Sequence, residues 1–222
     1  MNPVLGDGNS SSRLSPNDEG RSVTINLKSN RKDSPMVQSP PKLLTLEEFL
    51  ELPETKPASE YIDGAIIQKP MPQGKHSILQ RELSLALTTT LRSDKTAQAF
   101  PELRCTFGGR SIVPDIAIFR TQHIPRESNG DVANLFNLHP DWTIEILSPN
   151  QSHTKVVRNI LHCIDHGTEM GWMLDPEEHC IFVYDSDKSV QLLDNNEMVL
   201  PVPKFAQTVQ LRVGEIFDWL KA

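Results

Sequence analysis

Two acidic side chains stand in apolar, strand-like runs. Asp115 lies in Ile112-Val113-Pro114-Asp115-Ile116-Ala117-Ile118-Phe119, and Glu145 in Trp142-Thr143-Ile144-Glu145-Ile146-Leu147-Ser148. Burial disfavours the charged form of a carboxylate unless cations or hydrogen-bond donors compensate. Two such residues in one chain point to a site that uses negative charge, and the commonest such use is a divalent metal. Side chains alternate along a strand, so Asp115 shares a face with Val113, Ala117 and Phe119, and Glu145 with Thr143 and Leu147. If the two strands are neighbours, one register sets both carboxylates on the same side. Hard oxygen ligands so placed suit Mg²⁺ or Mn²⁺. The cation would lower the pKa of a bound water and stabilise charge on a phosphoryl oxygen. A third acid, Glu60, precedes Tyr61-Ile62-Asp63-Gly64 and could reach the metal or its water from a neighbouring element. The candidate cation is Lys155, in the first turn of the helix after the Glu145 strand, with polar Ser148 and Gln151 close by.

Other residues with chemical potential have plainer readings. His76, at a helix start, could orient a phosphate or a site carboxylate, or act as a cap. His162 and His166 are spaced i, i+4, but no HExxH surrounds them and the end of a helix favours cationic groups anyway. Cys105, Cys163 and Cys180 are odd in number and form no CxxC pair, so they read as reduced small hydrophobes. Trp142, Trp172 and Trp219 are too scattered for a base-stacking platform and read as packing residues.

The elements that must position the acids follow from periodicity and punctuation. Thr45-Leu46-Glu47-Glu48 has the capping-box pattern of a helix start. Glu60 to Ile67 reads as a hairpin turning at Asp63-Gly64. His76 to Arg92 reads as a helix with Ile78, Leu79, Leu83, Leu87 and Leu91 inward. Strands are expected near 97–107, 112–119 and 142–147, with a polar excursion over 121–140. Ser152 to His166 reads as a second helix, with Val156, Val157, Ile160, Leu161 and Ile164 inward and Gly167 at its C-terminal stop. Strands near 170–174, 180–185, 189–193 and 207–212 and a short helix over 214–220 complete one α/β or α+β domain with a mixed sheet. Residues 1–41 are rich in Ser and Pro and lack aromatics, so they are expected to be a disordered tail before a domain over 42–222.

Composition narrows the class. At 222 residues the chain can build a real core. No apolar run reaches membrane-span length and the N-terminus lacks a signal-peptide core, so a cytoplasmic location is the expectation. The net charge of −7 argues against a broadly basic DNA-binding surface and leaves room for a local basic groove.

Taken in order, Pro114-Asp115, Glu145-Ile146-Leu147-Ser148-Pro149, a helix and Gly171-Trp172-Met173-Leu174-Asp175-Pro176 resemble the Uma-two family of the PD-(D/E)xK endonuclease superfamily. Thr45 to Phe49, Glu60 to Gly64 and His76-Ser77 extend the resemblance over roughly 42–220. It implies a restriction-endonuclease-like fold, a central mixed sheet flanked by helices with a metal site at one sheet edge. It maps the motif Asp to Asp115, the motif acid to Glu145 and the helix-borne acid to Glu60. It further implies DNA as substrate, Mg²⁺ or Mn²⁺ as cofactor, and a homodimer. The sequence departs from the motif at Leu147, where the superfamily places a lysine, and Lys155 is the nearest candidate for a lysine moved onto a helix. Three readings follow: a metal-dependent DNA endonuclease, a nuclease-like fold that binds nucleic acid or protein without cutting, and a hydrolase of small phosphate esters.

Overall fold

The computed structural model describes residues 44–149 and 151–221; the segment read as a tail lies outside them. The first helix, α1 (Leu46–Leu50), starts at the expected capping box, in which Thr45 and Glu48 each accept the other's backbone N–H. Its one buried residue, Phe49, packs on Tyr61 with ring centroids 5.6 Å apart. Strands β1 (Ser59–Ile62) and β2 (Ala65–Gln68) form the hairpin. Asp63 and Gly64 both take positive φ, 52° and 86°, as a tight hairpin turn requires. Helix α2 (Gly74–Ser93) buries Leu79, Leu83, Leu87 and Leu91 completely, while Ile78 is only half-buried. The buried stripe repeats every four residues and Ile78 falls beside it.

The following region differs from the sequence reading in one way that matters for the site. The run over 97–107 is two strands, β3 (Ala97–Pro101) and β4 (Cys105–Phe107). The run over 112–119 is also divided, into β5 (Arg110–Ile112) and β6 (Ile116–Arg120). Strand β5 belongs to a four-stranded antiparallel sheet of order β2-β1-β5-β4, and β6 to a six-stranded sheet. Asp115 therefore does not sit inside a strand. It is the last residue of the crossing from one sheet to the other. Pro114 accounts for the break, because it has no N–H to give to a ladder.

The larger sheet takes in β7 (Trp142–Ile146), β8 (Met170–Asp175), β9 (Cys180–Asp185) and β10 (Val190–Leu193), in the order β10-β9-β8-β7-β6-β3. Only β7 and β8 are parallel, and helix α3 (His153–Asp165) connects them. The sheet is mixed and has helices on both faces. One face packs against α2 and α4 (Val213–Asp218) through Leu79, Leu83, Ile116, Ile118, Trp142, Ile144 and Trp172. The other carries α3 through Leu147, Val156, Ile160 and Met173. A third cluster, including Cys105, Ile112, Ala117, Phe119 and Cys163, joins the small sheet to the large one and to α3. The segment 207–212 makes only one bridge, Val199↔Arg212. Pro201 and Pro203 in the facing segment have no N–H to extend it. Among the described residues no helix is long and apolar enough to cross a membrane.

Candidate active site

The crossing Val113-Pro114-Asp115 is held by side chains from three other elements, because it has left one ladder and not yet joined the next. Glu60 on β1 accepts the Val113 N–H at 2.8 Å. Lys69, the residue after β2, donates to the Val113 carbonyl at 2.7 Å. Gln80 of α2 donates to the Asp115 carbonyl at 2.9 Å. The Glu102 N–H also donates to the Asp115 carbonyl at 3.1 Å, so the Val113 N–H, the Val113 carbonyl and the Asp115 carbonyl are all paired outside regular secondary structure.

This anchoring aims the Asp115 carboxylate at β7. Strands β6 and β7 are antiparallel neighbours paired Ile116↔Ile144 and Ala117↔Thr143, so one more step of the register sets Asp115 opposite Glu145. The condition on which a shared site depended is met. Glu145 lies on the face of β7 that also carries Leu147 under α3, Asp115 approaches it from the crossing, and they are 4 % and 3 % exposed. Asp115 Oδ2 accepts the Ile146 N–H at 2.7 Å and has His76 Nε2 at 3.1 Å, while its Oδ1 accepts Lys69 Nζ at 2.7 Å. Glu145 is less well served, its Oε2 accepting from Lys69 at 3.5 Å. Glu60 Oε2 accepts from Asn159 of α3 at 3.1 Å.

The two central carboxyls are driven in opposite directions. Burial would raise the pKa of Asp115, but Lys69 and His76 outweigh it and hold the group well below its ordinary range. For Glu145 burial wins against Lys69, and the nearby Asp115 and Glu60 add to it, so this carboxyl is pushed well above the usual value. Burial alone would lower Lys69, yet Asp115, Glu145 and Glu60 keep its ammonium firmly protonated. Three acids face one ammonium, so the centre is short of positive charge. An acidic, all-oxygen donor set is what a hard divalent cation takes, and the residues fit such an ion in kind. They are not a finished cage: among the described residues no three His, Cys, Asp or Glu side chains converge to hold a metal. Glu60 is turned to Val113 and Asn159, and Lys69 fills the space between the other two acids.

Two cavities of about 400 and 410 Å³ open on either side of Lys69, Pro70 and Gln151. Glu60, Glu145, Asn159, Lys155 and Arg158 line the first, and Asp115, His76, Lys56 and Glu102 line the second. Lys155 sits exposed at the rim of the first and pairs with none of the three acids. Two placements differ from what the resemblance implies, while Glu60 stands in the hairpin read from the sequence. Glu60 comes from a strand of the small sheet, not from a helix. The acids meet between the interior strands β6 and β7, not at a sheet edge. Lys69 is the site residue that sequence reasoning missed. A single lysine between a short strand and a proline reads as solvated, and the only pointer to it was the vacancy at Leu147.

The remaining candidates are structural. His162 stacks on Phe107 and lies 3.2 Å from its carbonyl, and His166 Nδ1 is 2.8 Å from the His162 carbonyl. All three cysteines are free and buried, and burial pushes the Cys105 thiol up to about 12. Trp142 and Trp172 pack edge to face in the core.

Comparison with known proteins agrees with this architecture. Residues 46–214 match the model of the Uma2 family, described as "Putative restriction endonuclease". Among solved structures, the chain is similar to "a putative nuclease belonging to DUF820" from Anabaena variabilis, with 55% sequence identity and a TM-score of 0.78. That match covers 79% of this chain and 98% of the other. No curated protein matches the chain.

Proposed function

Because the chain belongs to the Uma2 restriction-endonuclease family, we propose that it hydrolyses DNA phosphodiester bonds with Mg²⁺ or Mn²⁺ held by Asp115 and Glu145, with Glu60 assisting. The observation that carries this reading is the register that sets two buried carboxylates opposite each other with one ammonium between them. A bound divalent ion would supply an activated water and charge stabilisation on the phosphoryl group. The chain's own residues do the rest. The Ile146 N–H and His76 fix the orientation of Asp115. Asn159 and the Val113 N–H hold Glu60 beside the pair. Lys155 and Arg158 at the cavity rim give the acidic chain a local cationic border for a phosphate backbone. The reading extends to a cytoplasmic homodimer, since cutting both strands of a duplex calls for two sites related by symmetry.

The test is cleavage of plasmid and oligonucleotide DNA in Mn²⁺ or Mg²⁺ by the wild-type chain and by Asp115→Asn. Metal-dependent cutting that falls at least a hundredfold in the variant, the scale set by losing a transition-state contact, is expected. Equal cutting by both chains, or none on any DNA tried, would overturn the reading.

A further inference from the structure

The position two residues after Glu145 cannot deliver a cation. Leu147 is buried with Val156, Ile160 and Met173 under α3. Lys155 is exposed and makes no ion pair with the acids. Among the described residues, Lys69 is the lysine whose ammonium reaches Asp115 and Glu145, at 2.7 and 3.5 Å. Its three N–H bonds meet three acceptors, the Val113 carbonyl, Asp115 Oδ1 and Glu145 Oε2, which is the full donor capacity of an ammonium. Its backbone is fixed as well. The Lys69 N–H donates to the Ala58 carbonyl at 2.9 Å, one step beyond the Ser59↔Gln68 pair of the hairpin. Lys69 also lines both cavities, so the residue can be reached from either one.

Resting on the nuclease reading, we infer that Lys69 supplies the ammonium of this site, delivered by the hairpin of the small sheet in place of the position that Leu147 occupies. In the metal-free protein the ammonium bridges the two carboxylates. Asp115 and Glu145 would hold a divalent ion in competition with this ammonium, and Lys69, anchored through its backbone to the hairpin, would remain beside them.

Two readouts test this on the full chain, Mn²⁺ affinity by calorimetry and the DNA cleavage rate at saturating Mn²⁺. Removal of the competing positive charge in Lys69→Met is expected to tighten Mn²⁺ binding by about tenfold while cleavage slows by about a hundredfold or more. Methylammonium should restore part of the rate to Lys69→Ala. Lys155→Met should instead raise KM with little change in Mn²⁺ affinity. A merely structural lysine would lose metal binding and turnover together, and that result overturns the inference. So does a Lys69→Met chain that cuts within twofold of wild type. If Lys69→Met fails to fold, Lys69→Arg carries the test. A guanidinium cannot satisfy three acceptors converging on one point, so a rate at least tenfold lower is expected and an unchanged rate overturns the inference. If the wild-type chain cuts no DNA, the nuclease reading falls by itself. Lys69 is then decided by metal alone: tighter Mn²⁺ binding in Lys69→Met upholds its place between the carboxylates, and unchanged binding refutes it.

Discussion

Lys69 donates to Asp115 at 2.7 Å and to Glu145 at 3.5 Å, and that inequality sets how each acid contributes to stability. Asp115 is held below its ordinary value of 3.8. Its contribution is present above that value and disappears only as the pH falls through the depressed one. Glu145 is held above its ordinary 4.5. Its contribution is present below 4.5 and is lost as the pH rises through the elevated value. Two isosteric substitutions should therefore behave oppositely in the metal-free protein. Asp115→Asn should cost about 3 kcal/mol at neutral pH, because it leaves Lys69 poorly compensated, and less as the pH falls toward 3.8 and below. Glu145→Gln should be close to wild type near pH 4.5 and more stable than wild type at neutral pH, because burial makes the charged Glu145 costly. Mn²⁺ should stabilise the wild type and not the Gln variant. Urea denaturation across pH, with and without Mn²⁺, measures all three. A Glu145→Gln chain that is less stable than wild type at every pH would contradict this account of the charge imbalance.

At the scale of elements, the capping box, the Asp63-Gly64 hairpin and both long helices were legible because each is written in local spacing. The meeting of the two acids was legible only in part: strand parity applies to Glu145 in β7, whereas Asp115 lies in the crossing, outside any strand, and comes opposite Glu145 through the β6–β7 register. Lys69 was not legible, because its partners Asp115 and Glu145 are far away in sequence and only the antiparallel β6–β7 register and the sheet crossing bring them to it. The break at Pro114 was visible as a residue, but an apolar run hid it. Close packing of α3 on β8 holds Asn159 against Glu60. A Cβ added at Gly171 would stand 2.3 Å from Ile160 Cγ2, a buried and β-branched neighbour that cannot swing away. Gly171→Ala should therefore cost about 1–3 kcal/mol and lower cleavage as α3 shifts. Equilibrium unfolding together with a cleavage assay would check it, and unchanged values for both would show that the contact has slack.

At the scale of the whole molecule, the fold turns an acidic chain into one with a usable anionic centre. The small sheet supplies Glu60 and Lys69, the large sheet Glu145, the crossing between them Asp115, and α2 His76. None of these elements holds the site alone. With a net charge of −7, the proposed DNA substrate would be attracted by a few rim cations, so binding should weaken steeply between 50 and 200 mM salt, by about tenfold or more if two or three phosphates are neutralised. Fluorescence anisotropy with labelled DNA reads this directly, and a salt-independent affinity would count against a phosphate-tracking rim. Anomalous scattering from crystals of the chain soaked in Mn²⁺ decides whether Asp115 and Glu145 share one divalent ion. The expected result is a manganese peak within bonding distance of oxygens of both carboxylates, with the Lys69 ammonium no longer bridging them. No peak between the two acids, with Lys69 still bound to both at saturating Mn²⁺, would contradict it.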